Sequence, residues 1–192
     1  NGVAEPLNKG EFLLAHSRVL TPAADLELRS AFYMKDLDLL RNAPTPRHDC
    51  FDLVYAGKGK LFGPTPRVEG VVEVTREWPR RAEFHELLRH ARLFLSWDSW
   101  SAVNAEALLL GAIPVLLRAE PFTINDLRNE FLTAYVPAQV EWEGYRVRVS
   151  GLPSQRDIDA LRTQVLERSL RVNDEYPHKV EVLVDCLKRR FG

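Results

Sequence analysis

Between residues 52 and 117 the sequence alternates short aliphatic runs with amphipathic stretches of helical period. The strand-like runs there cover residues 52–56, 70–75, 93–97 and 113–117, and a further one covers residues 12–15. Strands that alternate with helices in this way are typical of a parallel sheet with helices packed on it. We therefore expect an α/β fold, with a Rossmann-like parallel sheet flanked by helices.

The intervening stretches carry apolar residues on one helical face and charges on the other. In residues 81–91 the apolar positions are Phe84, Leu87, Leu88 and Ala91. This spacing predicts a helix that packs one side against a core. A second helix should begin at Asp98 or Ser99, residue types that often cap helices, and end at Gly111. Later expectations are a helix at 124–131, strands at 135–136 and 142–149, a helix capped by Ser154 with Asp157, and a last helix from about residue 178.

The length and charge of the chain limit the classes of function. A chain of 192 residues with 45% hydrophobic content fits a single globular domain, which we expect to span residues 1–192 as a fragment of a longer chain because no initiator Met is present. The net charge of −1 argues against a nucleic-acid binder, which needs an excess of Lys and Arg. No apolar run approaches the roughly 20 residues of a membrane span, so none is expected.

Cysteine use indicates the compartment. Cys50 and Cys186 lie far apart and belong to no disulfide or metal motif. Two such thiols suit a reducing environment, so we expect a cytoplasmic protein.

The segment from His85 to His90 resembles a zinc-binding helix but lacks its spacing. The zinc motif needs its second histidine four residues after the first, where this chain has Arg89. Five residues place His85 and His90 about 140° apart around a helix. We therefore predict no metal site and expect the two histidines on a solvated helix face.

Gly57, Lys58, Gly59 and Lys60 follow a predicted strand, as phosphate-binding loops do. Glycine lets backbone amides approach an anion, and lysine supplies positive charge, so these four are candidate phosphate ligands. The dinucleotide fingerprint is not complete, because Phe62 occupies the place of its third glycine. A strand-end turn with solvated lysines is the alternative, and both interpretations stay open at this stage.

A second candidate site lies where the strand at 93–97 meets the next helix. Asp98, Ser99 and Ser101 stand at the helix start, whose free amides would face a diphosphate. Glu106 lies further along the same helix, and its two oxygens could accept both hydroxyls of a ribose. Ligands of open α/β sheets bind at this end of the strands. Alternatively, Asp98 and Ser99 only cap the helix, and Glu106 lies on the surface.

The tryptophans allow two interpretations. They are Trp78, Trp97, Trp100 and Trp142. Their rings could stack on a nucleobase or pack in the core, which is the commoner use of the residue.

Residues 86–96 and 104–115 resemble the C-terminal domain of GT-B glycosyltransferases. In that family a helix leads into a strand ending in serine, and the next helix opens with an acidic residue, carries Glu-Ala and closes as small-Gly-x-Pro-Val. Asp98 and Glu106 are separated by seven residues, as the acidic pair of the family is, with Asp replacing the usual first Glu. Residues 55–60 and 75–79 resemble a narrower group from bacterial surface-polysaccharide biosynthesis.

The resemblance implies a glycosyltransferase that takes sugar from a nucleotide-sugar donor to a glycan or lipid-linked acceptor. Glu106 would bind the ribose, and residues 98–101 would face the sugar or the diphosphate. No metal or other cofactor is implied, and no catalytic residue can be named. A complete enzyme of this kind also needs an N-terminal GT-B domain, in the same chain or another.

The sequence also departs from the family pattern in the loop after the first strand. Arg18 aligns with an arginine of many members and is a candidate donor ligand, with plain surface charge as its alternative. Ala23 and Ala24 stand where those members carry a lysine. This loss favours an alternative function, a degenerate, non-catalytic module of the same fold that binds a partner protein or glycan.

Overall fold

The computed structural model describes residues 14–15, 24–28, 51–74, 81–120, 122–129 and 134–191. The strands are β1 (Leu14–Ala15), β2 (Leu26–Glu27), β3 (Phe51–Tyr55), β4 (Val72–Val74), β5 (Ala91–Ser96), β6 (Ile113–Leu116), β7 (Gln139–Glu143) and β8 (Arg146–Ser150). The helices are α1 (Arg81–His90), α2 (Ala102–Leu110), α3 (Ile124–Asn129) and α4 (Gln155–Phe191), with a 3-10 helix at Gly57–Leu61.

The centre of the fold is a four-stranded parallel sheet in the order β4-β3-β5-β6. Helices flank it, with α2 in contact with α1, α4, β5 and β6. The prediction of an α/β fold with a Rossmann-like parallel sheet is therefore confirmed. From β3 the chain moves outward to β4 and then returns past β3 to form β5. The strand order thus reverses between β3 and β5, which makes their carboxyl ends a topological switch point.

The core is built mainly from β5 and α2. Leu93, Phe94 and Leu95 are consecutive and all buried, as expected for a parallel strand covered on both faces. The ring of Tyr55 stacks on that of Phe94 with centroids 5.7 Å apart. Residues 104–110 of α2 are all buried, which explains why this helix lacks a polar face.

The start of α2 differs from the prediction. Ser101 is its N-cap, with an extended backbone and a hydroxyl that accepts from the amide of Val103 at 3.4 Å. Asp98 and Ser99, the expected caps, lie before it, because the carboxylate of Asp98 accepts from the Lys58 amide instead. The predicted stop at Gly111 is confirmed, since this residue caps the helix at φ 116°.

Alanine at position 111 should destabilise the protein. A side chain in this left-handed region is strained by about 1 kcal/mol. Urea unfolding followed by circular dichroism should show this loss for Gly111→Ala, with Lys188→Ala, an exposed substitution near the end of α4, as the control. Equal unfolding midpoints for the two variants would contradict the prediction.

Other predicted helices and strands are confirmed in full or in part. The helix at 81–91, the strands of the sheet and the cap of α4 are confirmed; the amide of Asp157 donates to Oγ of Ser154 at 3.3 Å. The strand at 12–15 is confirmed for Leu14–Ala15, and the helix at 124–131 for Ile124–Asn129; the remaining residues of both lie outside the described ranges.

Three predictions in the C-terminal half are wrong. Residues 142–149 belong to a β7–β8 hairpin, because Gly144 at φ 65° lets the chain reverse. Residues 135–136 form no strand, although the amide of Val136 donates to the carbonyl of Pro114 at 2.7 Å. The two expected helices are one, since α4 continues through Pro177. A proline in a helix interior removes one backbone hydrogen bond and crowds the preceding turn, and α4 nevertheless passes through this position.

Candidate functional site

The candidate site lies at the carboxyl ends of β3 and β5. Two described segments meet there, the 3-10 helix after β3 and residues 97–101 after β5. In doubly wound sheets ligands bind outside the strands at the switch point. The position of the site is therefore the one that the fold itself favours.

The 3-10 helix packs directly on the loop that follows β5. Gly59 is buried, and a Cβ at this position would overlap the backbone carbonyl of Trp97. The backbone N–H of Lys58 donates to Oδ2 of Asp98 at 2.9 Å, and the Lys58 ammonium donates to the carbonyl of Trp100 at 3.1 Å. The two stretches that the sequence singled out separately thus contact each other.

Asp98 is fully buried at 0% exposure. Its Oδ2 accepts from Lys58, while its Oδ1 is buried and has no hydrogen-bond partner among the described residues. The backbone carbonyl of Asp98 accepts from the amide of the Asn104 side chain at 2.9 Å. A buried carboxylate oxygen without a partner is unusual, because its desolvation is not offset.

The loop around Asp98 is held on its other side as well. The hydroxyl of Ser99 donates to the carbonyl of Ala119 at 2.9 Å, which joins this loop to the one after β6. Within the described ranges, residues 99–100 form a turn, and the backbone amides of residues 99, 100 and 102 donate no hydrogen bond. These amides stand at the positive end of α2, where an anion or another oxygen acceptor can be bound.

Glu106 points from α2 toward α1. It is 7% exposed, and its Oε2 lies 3.2 Å from Nε2 of His85. His85 is 3% exposed, so the expectation that it lies on a solvated face is wrong. The reason is visible in the spacing, because His85 precedes the fully buried Leu88 by three residues and shares its helix face. The alternative that Glu106 is a surface residue is also wrong.

His90 behaves differently from His85. It is partly exposed, and its Nε2 lies 3.0 Å from Oε1 of Glu86. Hydrogen bonds from Arg89 and His90 lower the pKa of Glu86 below its ordinary value. The two histidines therefore serve separate acidic partners, and the residues that the structure describes contain no group of His, Cys, Asp and Glu that could hold a metal ion.

Arg118 joins the loops at this edge and was not singled out from the sequence. Its Nη2 donates to the carbonyl of Gly59 at 2.6 Å, and its Nη1 donates to that of Pro64 at 3.1 Å. Its guanidinium also lies over the ring of Trp97, 5.5 Å from the centroid. The only signal for it was a cation directly after the predicted strand at 113–117.

For some of the four tryptophans the structure shows whether the ring packs within the chain. Trp97 is buried and stacks on Trp142 with centroids 5.5 Å apart, and Trp100 packs on Phe122 at 4.4 Å. Trp78 lies outside the described residues. Trp97 and Trp100 thus have packing partners within the chain, in agreement with the core interpretation for Trp97.

Two cavities meet at Trp97. One of about 460 Å³ is lined in part by Val54, Ala56, Arg67, Glu73 and Trp97. The other, of about 590 Å³, is lined in part by Trp97, Arg118, Glu120, Tyr135 and Val140. Neither is lined by Asp98 or Glu106, so these two cavities flank the candidate site rather than contain its carboxylates.

The other candidate donor ligands from the sequence take no part in the contacts described above. Lys60 is exposed on the 3-10 helix, and Gly57 adopts φ 47° at its start. Arg18 and Ala23 lie outside the described residues, whereas Ala24 is buried.

In the described part of the chain, no helix is long and apolar enough to cross a bilayer.

Comparison with protein-family models, with curated proteins and with solved structures finds no match for this chain. Its function must therefore be inferred from its own residues and their arrangement.

Proposed function

We propose that this chain is a glycosyltransferase domain that binds a nucleotide-sugar donor for transfer to a glycan or lipid-linked acceptor. The observation that carries the proposal is the start of α2 at the switch point, where unengaged amides lie beside the buried carboxylate of Asp98. A nucleoside diphosphate that departs from the sugar gains negative charge, which helix-end amides and nearby cations stabilise. Lys60, exposed on the adjoining 3-10 helix, is the cation we assign to this role.

Charge decides how the donor would be oriented. A buried carboxylate at Asp98 repels a phosphate placed against it, since two negative charges interact strongly where water is excluded. Sugar hydroxyls, which donate hydrogen bonds, are better neighbours for Asp98. We therefore place the sugar nearest Asp98 and the diphosphate nearer the amides of residues 99, 100 and 102.

The acceptor would come from outside this unit. We propose that an N-terminal GT-B domain, in the same chain or another, supplies the acceptor and closes over the donor. The resemblance of residues 55–60 and 75–79 to proteins of surface-polysaccharide biosynthesis supports a polysaccharide acceptor. The two cysteines, which belong to no disulfide motif, favour a cytoplasmic location.

A non-catalytic module is the second candidate, and specific contacts favour it. The carboxylates of Asp98 and Glu106 are both held by partners inside the chain, Lys58 and His85. Ala24 is buried where many family members carry a lysine. A domain that had lost donor binding could keep these contacts for stability alone.

Calorimetric titration separates the two candidates. The purified chain is titrated with UDP, GDP and CMP, and we expect one of them to bind with a favourable enthalpy. Absence of heat with all three nucleotides up to millimolar concentration would favour the non-catalytic module.

Replacing Glu106 with glutamine tests whether a donor reaches this carboxylate, which the structure holds against His85. Contact with the ribose predicts nucleotide binding about tenfold weaker in the variant, as the loss of a charged hydrogen-bond acceptor gives. Titration of Glu106→Gln measures this, and Glu86→Gln on the exposed side of α1 is the matched control. If both variants bind as the parent does, Glu106 does not contact the ribose.

A further inference from the structure

An exposed apolar tip beside two lysines stands at the carboxyl edge of the sheet. Leu61 is 72% exposed and Phe62 is 44% exposed, at the end of the 3-10 helix. Lys58 and Lys60 are exposed on the same short helix. Exposed apolar side chains with a charged rim mark surfaces that contact another body. We call these four residues the edge tip.

The edge tip is continuous with two further aromatic rings. Phe62 meets Phe122 edge to face with centroids 6.1 Å apart, and Phe122 packs on Trp100 at 4.4 Å. Trp100 and Phe122 are half-buried, so their rings still reach the surface. The apolar surface thus extends from the segment after β3 to the segment after β5.

The tip is also rigidly supported from below. The Gly59 carbonyl accepts both from Arg118 and from the amide of Phe62, the latter at 3.0 Å. The buried Gly59 backbone leaves no room for a side chain, so the 3-10 helix sits directly on Trp97. These contacts hold the backbone of the 3-10 helix in place, and the exposed side chain of Leu61 contributes nothing to packing within the chain. Inserting this side chain into another surface would cost little conformational entropy, because the backbone is already ordered.

We propose that the edge tip docks on the surface of a bilayer that contains anionic lipid. Lysine is depleted in protein–protein interfaces, whereas lysines next to apolar and aromatic side chains are favoured at lipid headgroups. Phe62 and Trp100 suit the interface because aromatic rings concentrate there. Around the edge tip, Lys58, Lys60 and Arg118 stand against Glu120 and Asp126, an excess of one positive charge. The guanidinium of Arg118 is held by the carbonyls of Gly59 and Pro64, so the exposed cations are the two lysines. The proposal does not require nucleotide binding, although Lys60 is shared with the proposed donor site.

Vesicle sedimentation tests the proposal with the whole chain. We expect it to sediment with vesicles of phosphatidylcholine and phosphatidylglycerol in equal parts, and not with phosphatidylcholine alone. Added salt should release it by screening the lysines. Lys60→Ala should lower the partition coefficient about fivefold, and Leu61→Glu should lower it at least about tenfold.

Leu152→Glu is the matched control, because Leu152 is an exposed leucine of a different loop. Circular dichroism establishes that each variant is folded, and Leu61→Ser replaces Leu61→Glu if the latter is not. Failure of the parent chain to bind anionic vesicles would overturn the proposal, as would unchanged binding by a folded Leu61 variant. Loss of self-association on Leu61→Glu in sedimentation velocity, without vesicle binding by the parent, would assign the tip to a protein contact instead.

Discussion

Leucine in place of His85 is expected to lower the free energy of unfolding by about 3 kcal/mol, because it leaves the buried carboxylate of Glu106 without the imidazole. The two side chains lie 3.2 Å apart, and each is at least nine-tenths buried. Removing one member of such a pair is more damaging than removing both, since the desolvated charge remains. Urea unfolding of His85→Leu followed by circular dichroism measures the loss.

The double variant His85→Leu with Glu106→Leu supplies the decisive comparison. It should recover most of the lost stability, because two apolar side chains can fill the contact between α1 and α2 without a buried charge. His90→Leu is the matched control on the same helix, where the partly exposed pair with Glu86 contributes about 0 to 1 kcal/mol. If the double variant is less stable than His85→Leu alone, the contact with Glu106 is not what the histidine contributes to stability.

The central sheet could be predicted from the sequence because its strands are encoded locally. Each of β3, β5 and β6 is a short aliphatic run, and strands buried on both faces need such runs. The C-terminal end of α2 could also be predicted, since Gly111 adopts a backbone conformation that favours glycine. Local patterns therefore sufficed for the part of the fold that positions the candidate site.

Errors arose where a residue's partner is distant in the sequence. Asp98 does not cap α2, because its carboxylate binds an amide forty residues earlier. The spacing of His85 placed it near an apolar face, yet only the packing of α1 on α2 decides that it meets Glu106. The hairpin was missed although the alternation changes phase at Gly144, since Val140 and Trp142 are followed by Val147 and Val149.

In the candidate site, too, local sequence predicted the position of residues but not their distant partners. Sequence position predicted that Gly57, Lys58 and Asp98 follow strand ends, and parallel strands bring such ends to one edge. Nothing local could predict that Lys58 and Asp98 bond to each other, since this depends on β3 and β5 being neighbours in the sheet. Asn104 offered a signal that was overlooked, because an amide side chain amid apolar helix positions needs a buried partner.

Alanine at Gly59 is expected to destabilise the protein by about 3 kcal/mol, at the upper end of the effects of overpacking. The added methyl would overlap the main chain of Trp97, and main chain cannot move aside as a flexible side chain can. Relief requires the 3-10 helix to lift, which strains the bonds from Arg118 to Gly59 and from Lys58 to Asp98. Thermal and urea unfolding of Gly59→Ala measure the loss, and Lys60→Ala, exposed on the same 3-10 helix, should change stability by less than about 0.5 kcal/mol.

The same variant tests whether the 3-10 helix supports the proposed donor site. Where the parent chain binds a nucleotide, Gly59→Ala should bind it more weakly even at a temperature where the variant is fully folded, because the amide of Lys58 no longer holds the Asp98 carboxylate in place. Binding and stability are measured on the same preparation, so that loss of fold and loss of geometry are separated. A folded Gly59→Ala variant with the affinity of the parent would show that Asp98 keeps its position without the 3-10 helix.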